Sequence, residues 1–167
     1  MTEETAVKEP ASTEEQLVVF ALAGEDYGVD IGDVREIIRM QAITQVPSTP
    51  SFVEGVINLR GIVIPVIDLR KKFLLEVGEI TADHRIMVID IGGKDIGMVV
   101  DAVTEVSRIS SYSVEPPSSI IGTSGSEHLR GIAKLDGRMI ILLDLQKVFS
   151  EGERMAMDDQ EGEESSG

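Results

Sequence analysis

Residues 55–73 read GVINLRGIVIPVIDLRKKF, and residues 131–149 read GIAKLDGRMIILLDLQKVF. Laid on one another at a shift of 76, they agree without a gap at eight of nineteen positions, from Gly55/Gly131 through Asp68/Asp144 to Phe73/Phe149. A second block aligns at a shift of 69. Residues 18–37 fall on 87–106 with six identities in twenty, including Val34/Val103 and Glu36/Glu105, and most other pairs swap one aliphatic for another. Average residue usage would produce about one or two identities in such a window. One structural part is therefore used twice. The tetrapeptide LRGI, found at 59–62 and again at 129–132, is a decoy. In register, Leu59-Arg60-Gly61 answers Leu135-Asp136-Gly137, and the second LRGI lies one strand earlier in its own copy. The shift grows from 69 to 76, so the second copy carries seven extra residues within 114–130.

Each copy reads as a run of short strands. LVVFALA and YGVDI are two strands around a turn, and GVINL and IVIPVID flank the tight hairpin turn Arg60-Gly61. Asp136-Gly137 is a favoured two-residue hairpin sequence, because both positions accept positive φ. DVREII has Val34, Ile37 and Ile38 at helical spacing, so a short helix capped by Asp30 or Asp33 and ending near Glu36 is expected there. AITQVP is expected as a third strand, stopped by Pro47. Asp68 and Asp144 end strands and cap short helices over LRKKF and LQKVF. Five short strands per copy and closely spaced turns predict a mainly β protein: two small five-stranded barrels, related by a pseudo-two-fold and sharing an apolar seam. Strand exchange between the barrels is open at this level. The first copy covers about 17–75 and the second about 84–150.

The chain has 167 residues, 42% of them hydrophobic, but no Trp, no Cys and only 4% aromatics, so its core is aliphatic and free of disulfides. Its net charge of −15 lies mostly at the ends: residues 1–16 carry −4 and residues 151–167 carry −6. Residues 1–14 and 151–167 read as acidic tails, the second with room for a short helix over 150–157. No apolar run is long enough to span a membrane, and MTEETAVKEP has no signal-peptide core. A cytoplasmic protein without direct membrane insertion is expected. A small barrel can bind nucleic acid, but an acidic body poor in aromatics argues against it.

No catalytic set, metal site or cofactor is expected. His84 and His128 stand alone and are expected at the surface, in a linker and a loop. No GxSxG elbow is present, and GTSGS at 122–126 is neither a P-loop nor a dinucleotide fingerprint. Glu36 and Arg60 are the charges of interest. Glu36 recurs as Glu105, whereas the counterpart of Arg60 is Asp136, so Arg60 belongs to one copy alone.

The pattern FALAGEDYGVDIGDVREI at 20–37, followed by PSTPSFVEGVINLRGIVIPVIDLR at 47–70, resembles the CheW family of bacterial chemotaxis coupling proteins and the related regulatory domain of the histidine kinase CheA. The resemblance covers about 15–150. It implies two SH3-like five-stranded barrels and no catalysis. It also implies two partners, the cytoplasmic tip of methyl-accepting chemotaxis receptors and the CheA regulatory domain, with recruitment to membrane-associated receptor arrays. By match, Val34, Glu36 and Arg60 fall on receptor- and kinase-coupling positions, with Ile37 and Val106 as groove neighbours. Glu115, Ile120 and Ile121 fall in the loop used for a second kinase contact, where a basic and an aromatic residue are the usual pair. The same family serves non-flagellar systems such as surface motility.

Overall fold

The computed structural model describes residues 14–110, 113–116 and 128–149. Its first half runs β1 (Glu14–Leu22), β2 (Glu25–Asp30), a 3-10 turn (Ile31–Asp33), β3 (Val34–Arg39), β4 (Val53–Leu59), β5 (Ile62–Asp68) and α1 (Leu69–Lys72). The second runs β6 (Arg85–Ile91), β7 (Lys94–Val100), β8 (Ala102–Ser110), β9 (Val114–Glu115), β10 (Leu129–Leu135), β11 (Arg138–Leu143) and α2 (Leu145–Val148). One sheet has the order β8-β1-β2-β11-β10-β9 and the other β3-β6-β7-β5-β4.

These two orders are the same order with the copies exchanged. The β1–β2 hairpin of the first copy completes a sheet made by the second, and the β6–β7 hairpin of the second completes a sheet made by the first. Each sheet wraps its own small cluster. Leu17, Val19, Ile140 and Leu142 fill one; Ile86, Val88, Ile64 and Val66, their counterparts in the repeat, fill the other. Successive strand residues point to opposite faces, so the exchanged hairpins have a second apolar face. Val18, Phe20 and Leu22 of β1 meet Met87, Ile89 and Ile91 of β6 in the central cluster. Among the described residues that cluster holds seventeen buried side chains against six in each of the others, so most of their core lies between the halves and neither half has a core of its own. Apolar burial on both faces accounts for the unbroken runs LVVFAL at 17–22 and IMVI at 86–89.

The turns agree with the sequence. All four two-residue hairpins hold both turn residues at positive φ: Ala23-Gly24, Arg60-Gly61, Gly92-Gly93 and Asp136-Gly137. Asp68 and Asp144 cap their helices, accepting from the N–H groups of Arg70 and Lys71 and of Gln146 and Lys147. Gly55 and Gly131 sit at matching bulges. A Cβ at Gly55 would lie 2.0 Å from the carbonyl oxygen of Thr44, and one at Gly131 would lie 2.4 Å from that of Glu115. In each copy a neighbouring segment crosses where no side chain fits.

Four expectations fail. The segment DVREII is not a helix. Asp30 caps a single 3-10 turn through Gly32 N–H, and residues 34–39 then form β3, paired with β6. Three β-branched residues and an available edge on β6 outweigh the helical spacing. AITQVP is not a strand but one bridge, Thr44 to Val56, and β9 is its counterpart against Ile132. His84 is buried: its Nδ1 accepts from Thr81 N–H at 3.0 Å, and its Nε2 lies 3.6 Å from Asp101. A backbone N–H can only donate, so the proton of the neutral ring is on Nε2. Asp101 also accepts from Ala23 N–H and from Arg70 Nε, at 2.8 and 3.0 Å, which ties α1 and the connection after it to both exchanged hairpins. Burial opposes ionisation of Asp101, but the hydrogen bonds from Arg70 and Ala23 and the charge of Arg70 outweigh it and hold the carboxyl below its usual range. His128, finally, is half-buried and stacks on Phe73 with ring centroids 6.0 Å apart.

Candidate partner-binding surface

The β4–β5 hairpin brings Arg60 to β3. Arg60 takes φ 53°, an uncommon conformation for a side chain other than Gly, Asn or Asp, and its Nη2 donates to the Glu36 carboxylate. The Arg60 side chain is 69% exposed and that of Glu36 34%. An exposed pair of this kind contributes about 0–1 kcal/mol, so it orients two charges and adds little to the fold. Glu36 pairs across the ladder with Val88 and Ile37 with Met87. Ile37 therefore shares the sheet face of the central cluster, yet stays 38% exposed. Val34 precedes a bulge at the start of β3 and packs against that cluster.

Val106 is the repeat counterpart of Ile37. On β8 it pairs with Val18 and is 53% exposed. The repeat thus presents two exposed aliphatics on matching edge strands. Glu115 stands apart from this group: it lies on β9, paired with Ile132, with its carboxylate 3.6 Å from Lys134. Ile120, Ile121 and the short helix expected over 150–157 lie outside the described residues.

One-to-one matching of the copies misread Arg60 as a charge without a counterpart. Arg138, two positions past Asp136, donates to Glu105 and lies 3.8 Å from Asp26. The carboxylate–arginine pair therefore recurs with the cation moved from the turn onto β11. Arg138 is 39% exposed and faces two carboxylates, while Arg60 stands out from the tip of its hairpin. Other members of the surface escaped the sequence reading. Arg35 joins the β6–β7 hairpin through Asp95 and through Asp90 at 3.3 Å. Asn58 accepts from Gly61 N–H at 2.8 Å beneath Arg60. The spacing Asn-x-x-Gly across a hairpin turn was the available signal for Asn58; for Arg35 there was none, because its partners lie more than fifty residues away.

Two exposed aliphatics on matching edge strands, and an arginine on a hairpin tip paired to a glutamate on β3, are what this face offers to another protein. The chain belongs to the CheW-like family, whose domain model matches residues 16–153. It is similar to the chemotaxis protein CheW of Klebsiella aerogenes, with 36% identity over 87% of each chain, and to that of Bacillus subtilis, with 32% identity over 89% of this chain and 96% of the relative. It also resembles protein FrzA of Myxococcus xanthus, with 30% identity over 94% of this chain and 99% of that one. Among solved structures, the scaffolding protein TtCheW of Thermoanaerobacter tengcongensis superposes with a TM-score of 0.76 at 44% identity, covering 83% of this chain and 94% of that one.

Proposed function

We propose that the chain is a non-catalytic adaptor that couples methyl-accepting chemoreceptors to the CheA histidine kinase and is recruited from the cytoplasm to membrane-associated receptor arrays. The observation that carries this reading is the pair that joins Arg60 on an exposed hairpin tip to Glu36 on β3 beside Ile37, in a chain of the CheW-like family. On this reading Val34, Glu36, Ile37, Arg60 and Val106 meet the receptor tip and the kinase regulatory domain. Glu115, Ile120 and Ile121 supply a second kinase contact. Cosedimentation of the chain with a receptor cytoplasmic fragment and CheA tests it: Arg60→Ala should lose coupling and keep its circular dichroism spectrum. Wild-type chain that pellets with neither partner would defeat the reading.

A second reading is an adaptor of the same kind in a non-flagellar system. The similarity to FrzA over nearly the whole of both chains favours it. Deleting the gene and scoring swimming against surface motility separates the two.

A further inference from the structure

We propose that Asn58 is the positioning residue of the candidate surface, and that its side chain holds the β4–β5 turn in the one conformation that presents Arg60 to a partner. In a two-residue hairpin the flanking residues exchange the ladder bonds, here Leu59 with Ile62. The N–H of the second turn residue has no place in that ladder. Asn58 Oδ1 accepts this N–H from Gly61 at 2.8 Å, and the Asn58 carbonyl accepts in turn from Gln41 Nε2 at 3.4 Å.

The four hairpins of the repeat act as internal controls. At the β6–β7 turn, Asp90 Oδ1 accepts from Gly93 N–H at 2.9 Å, again from three residues earlier. The matching residues of the other two turns are Ala21 and Lys134, whose side chains carry no acceptor. Both clamped turns belong to the sheet that carries Glu36, and Arg35 and Glu36 reach one turn each. The two unclamped turns are held by other means: aspartate tolerates the left-handed conformation at Asp136, and at Ala23, which takes φ 53° without that tolerance, the Asp101 carboxylate accepts from the Ala23 N–H at 2.8 Å. Arg60 takes the same conformation without that tolerance, so its turn has competing conformers of similar free energy. Asn58 selects among them.

The binding outcome of this inference rests on the adaptor reading; the structural outcome does not. The experiment uses the full chain with Asn58→Ala, Asn58→Asp, Arg60→Ala and the double change Asn58→Ala, Arg60→Ala. Amide hydrogen exchange at Gly61 is read by NMR, and cosedimentation affinity is read with a receptor cytoplasmic fragment and CheA. In Asn58→Ala the Gly61 amide should lose protection and affinity should fall by about twofold, the shift expected when one ordinary hydrogen bond no longer selects between turn conformers of similar free energy. Asn58→Asp, which keeps the acceptor, should restore both. In the Arg60→Ala background, Asn58→Ala should cost no further affinity. Unchanged Gly61 protection in Asn58→Ala would overturn the proposal. So would an equal affinity loss in both backgrounds, which would mean that Asn58 touches the partner itself. If the wild-type chain binds neither partner, the adaptor reading fails, and Gly61 exchange in the Ala and Asp variants still decides whether Asn58 sets the turn.

Discussion

Replacing Arg60 by asparagine separates function from stability more sharply than alanine does. Arg60 sits at φ 53°, in the left-handed region. A side chain there costs about 1–2 kcal/mol, and asparagine is among the residues that visit the region most readily. Arg60→Asn should recover about 1 kcal/mol of that cost. It also removes the exposed pair with Glu36, a loss of about 0–1 kcal/mol. The net change lies between neutral and about 1 kcal/mol of stabilisation, and the melting temperature should stay level or rise by up to about 4 °C for a chain of this size. On the proposed adaptor reading, coupling should nevertheless fall as far as in Arg60→Ala, because the charge assigned to the partner contact is gone. Asp136→Asn is the control: its turn already carries a tolerant residue, so melting and coupling should both stay at wild-type values. Thermal melts by circular dichroism, run beside cosedimentation with receptor fragment and CheA, read both quantities. A melting temperature more than about 4 °C below wild type would show that Arg60 supports the fold, and normal cosedimentation by the folded variant would show that its charge is not used.

At neutral pH Asp101→Asn should destabilise the protein by about 2–4 kcal/mol, somewhat below the roughly 3–5 kcal/mol for breaking a fully buried pair, since Arg70 and Asp101 are each about a fifth exposed. The folded carboxyl titrates below its unfolded value near 3.9, so its contribution is complete above about pH 4 and is lost as pH falls through the depressed folded value; urea melts between about pH 2 and 7 should therefore slope less on the acid side for the variant, and parallel slopes would refute this account. Gly131→Ala places a Cβ against the Glu115 carbonyl at φ +155°, so chemical denaturation should show a loss above about 2 kcal/mol, with Gly55→Ala at least as severe. The double change Ile120→Ser, Ile121→Ser should spare binding to the receptor fragment and weaken ternary assembly with CheA; normal assembly by the folded variant would remove these residues from the kinase contact.

The repeat made much of this architecture legible. Turn pairs, cap residues and the five-strand plan are local, and a duplicated sequence states each of them twice. Residues 34–39 were misread because Val34, Ile37 and Ile38 satisfy a helical period in so short a window, and the edge of β6 that decides the matter lies fifty residues away. The buried place of His84 was hidden for a related reason: its partner Asp101 is seventeen positions on, in a turn that carries no charge motif of its own. Within the surface, Glu36 and Arg60 were legible as types, but not the strand β3 that carries Glu36 to the hairpin of Arg60. Arg138 was missed because the second copy keeps the cation and moves it by two residues, a change that strict alignment reads as a loss.

The crossing of the hairpins has a consequence for how the molecule is made. As the chain leaves the ribosome, β3, β4 and β5 emerge before the β6–β7 hairpin that must lie between β3 and β5. The β1–β2 hairpin waits longer still, since its neighbours β8 and β11 come at the end of the described chain. No sheet can close on the first half alone, and the growing chain carries unpaired strand edges until synthesis is nearly complete. Folding is then a late, long-range event, slow for the size of the protein. A nascent chain stalled near residue 80 should be digested by protease wherever it is exposed, and one extended past residue 149 by enough to clear the ribosomal exit tunnel should resist.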